Sequence, residues 1–229
     1  MSHFYRLYTI NDYTGKKCGI GVADTYRPSG KTGSLPPEYW RSMEEIPLDP
    51  PWPHCRMLRA PLMPEEYKQE HYIFNLRPGI ELPDIWAWGT RALVSERAKT
   101  VLESCDDFGH EYIETEIQDN NRQRVNKTPY YLLSVRRILQ IDELGGTIEN
   151  RHKMFCPDYM EEKILPVVQQ NSDLKEKLSQ LPLWRQDRNV SVIYISETVL
   201  EKLREAGITG LNPYTSYDGK PGESLARFE

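Results

Sequence analysis

The chain has 229 residues, 38% hydrophobic, 28% charged and 10% aromatic, which is the composition of a globular protein long enough to bury a substantial core. A formal net charge of −5 argues against a general nucleic-acid binder, which carries a basic excess to pair with phosphates, and permits a basic protein partner. There is no apolar run of membrane-spanning or signal-peptide length, and Cys18, Cys55, Cys105 and Cys156 are widely spaced without a CxxC pair. The expectation is a reduced, cytoplasmic protein that contacts no membrane and needs no disulfide.

In chain order, residues 4–10 alternate aromatic and β-branched positions and predict a strand. Residues 11–34, rich in Gly, Lys, Asp and Thr, read as turns. Eight prolines follow between Pro36 and Pro64, and because proline fixes φ and removes a donor, little regular structure is expected there. Trp40, Trp52, Met57 and Leu58 are interleaved with them, so this stretch reads as an ordered extension wrapped on the rest of the protein. His71–Arg77 and Asp84–Trp88 predict two further strands.

A short phrase then appears twice. Leu93-Val94-Ser95-Glu96 opens one helical stretch, with Ala98 and Leu102 three and seven places after the Ser. Tyr194-Ile195-Ser196-Glu197 opens another, with Val199 and Leu203 at the same offsets. Ser suits the N-cap because its hydroxyl can accept an orphan backbone N–H, and Glu in the first turn faces the positive end of the helix dipole. Between the two copies, Glu111–Gln118 alternates cleanly, with Ile113, Thr115 and Ile117 on one face and Tyr112, Glu114 and Glu116 on the other. That predicts a half-buried strand. A polar loop at 119–127 leads to the strand-like Tyr130–Val135, and Leu139–Gly146 ends in a Gly-Gly turn.

Asp158–Gln170 and Asp173–Gln180 predict helices, Val190–Ile195 a strand, and the second Ser-Glu helix stops at Gly207, a suitable C′ residue. Gly210–Tyr217 reads as extended and the tail from Asp218 as mobile. Strands and helices mix without βα alternation, so the expected class is α+β: a mixed or antiparallel sheet with a few helices. The expected divisions are 1–69 (strand and Pro-rich region), 70–217 (core) and 218–229 (tail).

Several motifs stop short of a catalytic site. Ser29-Gly30-Lys31-Thr32 ends like a phosphate-binding loop, but Thr25 stands where its first Gly belongs and Leu35-Pro36-Pro37 forbids the following helix. His110-Glu111-Tyr112-Ile113-Glu114 lacks the second His of a zinc-protease helix and alternates like a strand. No metal site is expected. Cys105 and His110, with Asp106 or Asp107, could be arranged as nucleophile, base and orienting group, though proximity in sequence is poor evidence for that. No catalytic residue and no cofactor are assigned.

Binding is better supported. From Glu103 to Asp119 there are seven acidic residues and no Lys or Arg. The candidate partner-binding set is Asp106, Asp107, Glu111, Glu114, Glu116 and Asp119, since a patch of one sign can steer a basic partner. Among the 14 Tyr and 5 Trp, Trp86 and Trp88 read as core, and Tyr26, Tyr39, Tyr214 and Tyr217 as freer contact candidates.

Taken in order, Trp88, Leu93-Val94-Ser95-Glu96, the strand 111–118, Tyr130-Tyr131-Leu132-Leu133-Ser134-Val135, Tyr194-Ile195-Ser196-Glu197 and Ala206-Gly207-Ile208-Thr209-Gly210 resemble the immunity protein eleven family of bacterial polymorphic-toxin systems. The resemblance spans residues 70–217 and departs from the family pattern at Ser134, where Asn is usual. It implies a cytoplasmic antitoxin that binds and neutralises a cognate toxin or secreted effector without catalysis. Two other classes fit the composition: a hydrolase or transferase that reverses toxin damage, and an interaction module unrelated to toxins. The identity of the toxin and the oligomeric state stay open at this stage.

Overall fold

A computed structural model describes residues 4–7, 20–25, 37–65, 72–76, 81–88, 91–141, 165–186 and 193–211. Their strands form two six-stranded sheets. Sheet 1 runs, edge to edge, β1 (Phe4–Leu7), β12 (Ile193–Ser196), β11 (Leu183–Gln186), β10 (Arg137–Ile141), β4 (Cys55–Arg59) and β3 (Glu44–Ile46). Sheet 2 runs β2 (Ile20–Thr25), β5 (Tyr72–Leu76), β8 (Glu111–Gln118), β9 (Tyr130–Ser134), β7 (Arg91–Ser95) and β6 (Ile85–Trp88). Both are mixed sheets: β10–β11 and β5–β8 are parallel and the other pairs antiparallel. The described helices are α1 (Pro37–Arg41), α2 (Glu96–Cys105), α3 (Leu165–Gln170), α4 (Ser172–Gln180) and α5 (Glu197–Glu205). The class is α+β, as the mixture of elements predicts.

One apolar cluster joins the two sheets. Ile85, Val94 and Leu133 from sheet 2 meet Tyr5, Leu183 and Ile195 from sheet 1, with Ala98 and Leu102 of α2 and Val199 and Leu203 of α5 packed among them. These helix residues are the apolar positions that follow each Ser-Glu phrase, so the periodicity seen in sequence is the buried stripe of each helix. A second cluster places Val168, Leu174 and Leu178 of α3 and α4 on the other face of sheet 1, against Trp184 and Phe4. A third fills the other face of sheet 2 with Phe74, Trp86, Leu93, Ile113 and Ile117.

The repeated phrase marks a repeated three-dimensional unit. In sheet 2, β7 lies antiparallel between β6 and β9, with Val94 opposite both Ile85 and Tyr131. In sheet 1, β12 lies antiparallel between β11 and β1, with Ile195 opposite both Leu183 and Tyr5. Each central strand ends in its Ser, whose hydroxyl caps the next helix by accepting from Ala98 N–H at 3.2 Å or from Val199 N–H at 3.4 Å. Each following Glu takes the hydroxyl of the neighbouring strand's tyrosine: Tyr131 donates to Glu96, and Tyr5 to Glu197. The chain builds one device twice, drawing the third strand once from downstream and once from the N-terminal strand.

The Pro-rich segment departs from expectation. It contains α1, β3 and β4, and β4 is an interior strand between β10 and β3. Regular structure survives because Pro47, Pro50, Pro51, Pro53, Pro61 and Pro64 all fall outside the paired residues, where no ladder donor is lost. Sheet 1 therefore takes strands from both sides of residue 70. Ile20–Thr25, expected to be turn, is strand β2. Tyr39 is no free contact: it is buried and its hydroxyl donates to Pro61 O at 3.0 Å. Trp86 is core, as expected. The expected turns at 11–19, 26–34 and 145–146, the helical start at 158–164, the extended piece beyond Leu211, the tail, and Tyr26, Tyr214 and Tyr217 lie outside the described residues.

Candidate functional site

Strand β8 has the alternation its sequence predicts. Glu111, Ile113, Thr115 and Ile117 are buried, while Tyr112, Glu116 and Gln118 are half-buried and Glu114 exposed on the opposite face. The acidic run therefore does not form one patch. Eight residues of strand span about 23 Å, which places Asp107 and Asp119 beyond opposite ends of β8, and the alternation sends Glu111 inward.

Two members of the predicted set are consumed inside the protein. The Asp106 side chain is only 4% exposed. Its carboxylate takes both terminal nitrogens of Arg137, at 2.6 and 2.9 Å, and the Phe108 N–H at 3.1 Å. Arg137 also donates to Leu183 O at 2.7 Å, so the loop after α2 is bolted to β10 and β11 of sheet 1. Burial alone would raise the Asp106 pKa, but hydrogen bonds from His110 and Arg137 and the charge of Arg137 outweigh it and lower it to about 2. Glu111 is 8% exposed and accepts the Met63 N–H at 2.9 Å.

His110 shows why the Cys105 arrangement does not assemble. Its Nδ1 accepts the Arg136 N–H at 3.1 Å, which leaves the ring proton on Nε2, 3.0 Å from Asp106. Both nitrogens are committed to structure, and burial lowers the His110 pKa against the opposing pull of Asp106. The Phe108 ring carries two guanidinium groups over it, that of Arg137 at 4.3 Å and that of Arg59 at 4.7 Å from its centroid. Cys105 is half-buried with its sulfur 3.8 Å from Ser104 Oγ, and Cys55 and Cys105 are both free thiols. Among the described residues there is no group of His, Cys, Asp and Glu suited to holding a metal ion.

Of the remaining acidic residues, Asp107 and Glu114 are exposed, and Glu116 and Asp119 are half-buried. Asp107 lies in the loop after α2. Glu114 is 65% exposed, and its 3.9 Å contact with the half-exposed Arg124 is of the kind worth little in water. Glu116 accepts from Gln118 Nε2 at 2.9 Å. Asp119 shapes the turn after β8 by accepting the Asn121 and Gln123 N–H groups at 2.8 and 2.9 Å. Beside Glu114, opposite it in register, lies Tyr131 of β9, and next along β8 lies Tyr112. The two rings meet edge to face at 6.4 Å, and Lys99 of α2 places its ammonium 4.5 Å from the Tyr131 centroid and 5.7 Å from that of Tyr112.

The motif residues themselves form a clasp. Asp84, just before β6, accepts the Ser95 hydroxyl at 2.7 Å and the Thr209 N–H at 3.1 Å, while Ile85 N–H donates to Thr209 O at 3.0 Å. Gly207 sits at φ +64° as the residue that ends α5, and Ile208 drops into the shared core. Gly210, at φ +88°, lies so close to β6 that a Cβ would stand 1.9 Å from Ile85 O. Arg97 of α2 reaches across to cap the end of α5, donating to Ala206 O at 2.9 Å and Gly207 O at 3.2 Å. The Ala-Gly-Ile-Thr-Gly signature thus ties the end of α5 to the start of β6 and to the cap of α2.

A sequence model described as Immunity protein family (Imm11) matches residues 28–218. The chain belongs to this family. The span takes in the Pro-rich segment, both Ser-Glu helices with the strands they follow, and the whole clasp, while β1 with Tyr5 lies outside it. No curated protein matches the chain closely. Among the described residues, Cys105, His110 and Asp106 do not assemble into a nucleophile, base and orienting group. The roles of Arg137 and Lys99 are not legible in the sequence because each acts on residues of other elements far along the chain: Arg137 on Asp106 in the loop after α2, Lys99 on Tyr112 and Tyr131. No described helix is long and apolar enough to cross a membrane.

Proposed function

We propose that this protein is a cytoplasmic antitoxin that neutralises a cognate toxin or secreted effector of a bacterial polymorphic-toxin system by binding it directly, without catalysis. The observation that carries this reading is membership of the immunity family, joined to an exposed acidic strand face in a chain whose buried ionic groups are spent on structure. The docking surface is the outer face of β8, with Glu114 and Glu116 at its centre and Asp107 and Asp119 beyond its ends. Asp106 and Glu111 support it from inside by fixing the loop and the strand that carry it. A partner with a basic surface, such as a toxin that acts on nucleic acid, is drawn to such a face by long-range attraction and held by a few desolvated contacts.

The test is co-expression with the product of the adjacent gene. Survival together with a complex that co-purifies is the expected result. Survival without a complex would move the protein to the enzyme class.

A further inference from the structure

The two copies of the Ser-Glu unit are not alike on their outer side. Counting from each Ser, Lys99 of α2 occupies the place of Leu200 in α5, and Glu103 that of Arg204. Leu200 is fully buried, so the unit as such needs no cation at that position. In α2 the position instead carries an ammonium group seated over Tyr131 and Tyr112, 4.0 Å from Glu103 and with its side chain 22% exposed. Glu114 lies opposite Tyr131 in the β8–β9 register. Two aromatic rings with carboxylates around them are the setting that favours a cation, through the negative ring faces and through charge.

We propose that the Tyr112–Tyr131 shelf, rimmed by Glu103 and Glu114, is a seat for an arginine side chain of the docking protein, and that Lys99 occupies it in the free state and yields to that arginine. This rests on reading the β8 face as the docking surface. Arginine suits the seat better than lysine does, because its planar guanidinium stacks on a ring while its fork reaches a carboxylate. Lys99, on a flexible four-carbon stem, can swing into solvent when displaced.

The test uses the full-length protein and a labelled hexa-arginine peptide, read by fluorescence anisotropy at about 0.15 M ionic strength, where distant charges are screened. Lys99→Ala removes the competitor and is expected to tighten binding about threefold, the scale of an exposed cation–π contact. Lys177→Ala, which removes a cation on α4, controls for net charge and should leave affinity within error. In the Lys99→Ala background, where no competitor holds the ring, Tyr131→Leu should weaken binding about threefold, while Tyr131→Phe, which keeps the ring, should not. No binding, equal tightening by Lys99→Ala and Lys177→Ala, or an unchanged affinity for Tyr131→Leu in that background would each overturn the seat. Toxin neutralisation is scored separately by survival, so loss of the seat and loss of the antitoxin reading give different results.

Discussion

Arg137 grips Asp106 with both terminal nitrogens, at 2.6 and 2.9 Å, and both side chains are almost wholly out of water. A buried pair of this kind contributes little net stability over an apolar pair, but losing one partner strands a charge. Arg137→Met is therefore expected to cost about 3 kcal/mol or more. Asp106→Asn should be similarly costly. Urea unfolding of the two variants beside the parent checks this, and a loss below about 1 kcal/mol would mean that the pair is far wetter than its burial implies.

Stability should fall on acidification, in two steps. His110, facing Asp106, Arg136 and Arg137, has a folded pKa below its ordinary 6.5. A base kept neutral by the fold contributes stability that is complete above about pH 6.5 and is lost as pH drops toward the depressed value. Asp106, lowered from 3.8 to about 2, adds a second loss as pH falls from about 4 toward 2. Urea midpoints between pH 8 and pH 2 should show both steps, and His110→Gln should flatten the first.

The two glycines of the clasp should differ. Gly207→Ala makes only an ordinary van der Waals contact, 3.9 Å from Arg97 Nη2, so it bears only the left-handed backbone cost of about 1 kcal/mol. Gly210→Ala bears that cost and also drives a Cβ into Ile85 O, so it should be clearly the worse of the two in thermal melts.

The caps should differ too. Ser196→Ala removes a helix cap and is expected to cost about 1 kcal/mol. Ser95→Ala removes the same cap and also leaves Asp84 without its shortest donor, so it should cost more, about 2 kcal/mol. Equal losses would mean that the Asp84 contact contributes nothing.

How far the sequence carries the fold depends on whether the deciding interactions are local. Strand β8 was readable residue for residue because one of its faces is buried and the other wet, and the Ser-Glu helices because a cap acts within three residues. Strand β7 is not legible, since Leu93–Ser95 reads as the start of the helix that follows; nor are β2 and β3, nor are β4, β10 and β11. Their burial comes from neighbours far along the chain, and the prolines around β4 hide a strand they do not enter. The outward aim of Glu114 and Glu116 follows from alternation alone. The burial of Asp106 is not legible in the sequence, because Asp106 lies in the loop after α2 and Arg137 on a strand 31 residues on.

The most direct measurement of the central claim is survival and co-purification on co-expression with the cognate toxin, comparing the parent with Glu114→Lys/Glu116→Lys. Melting temperatures are recorded for both, so that folding is separated from binding. The account predicts that the parent rescues growth in a stable, salt-sensitive complex, and that the reversed protein melts like the parent but neither rescues nor co-purifies. A reversed protein that rescues as well as the parent, in a complex of the same salt dependence, would contradict it.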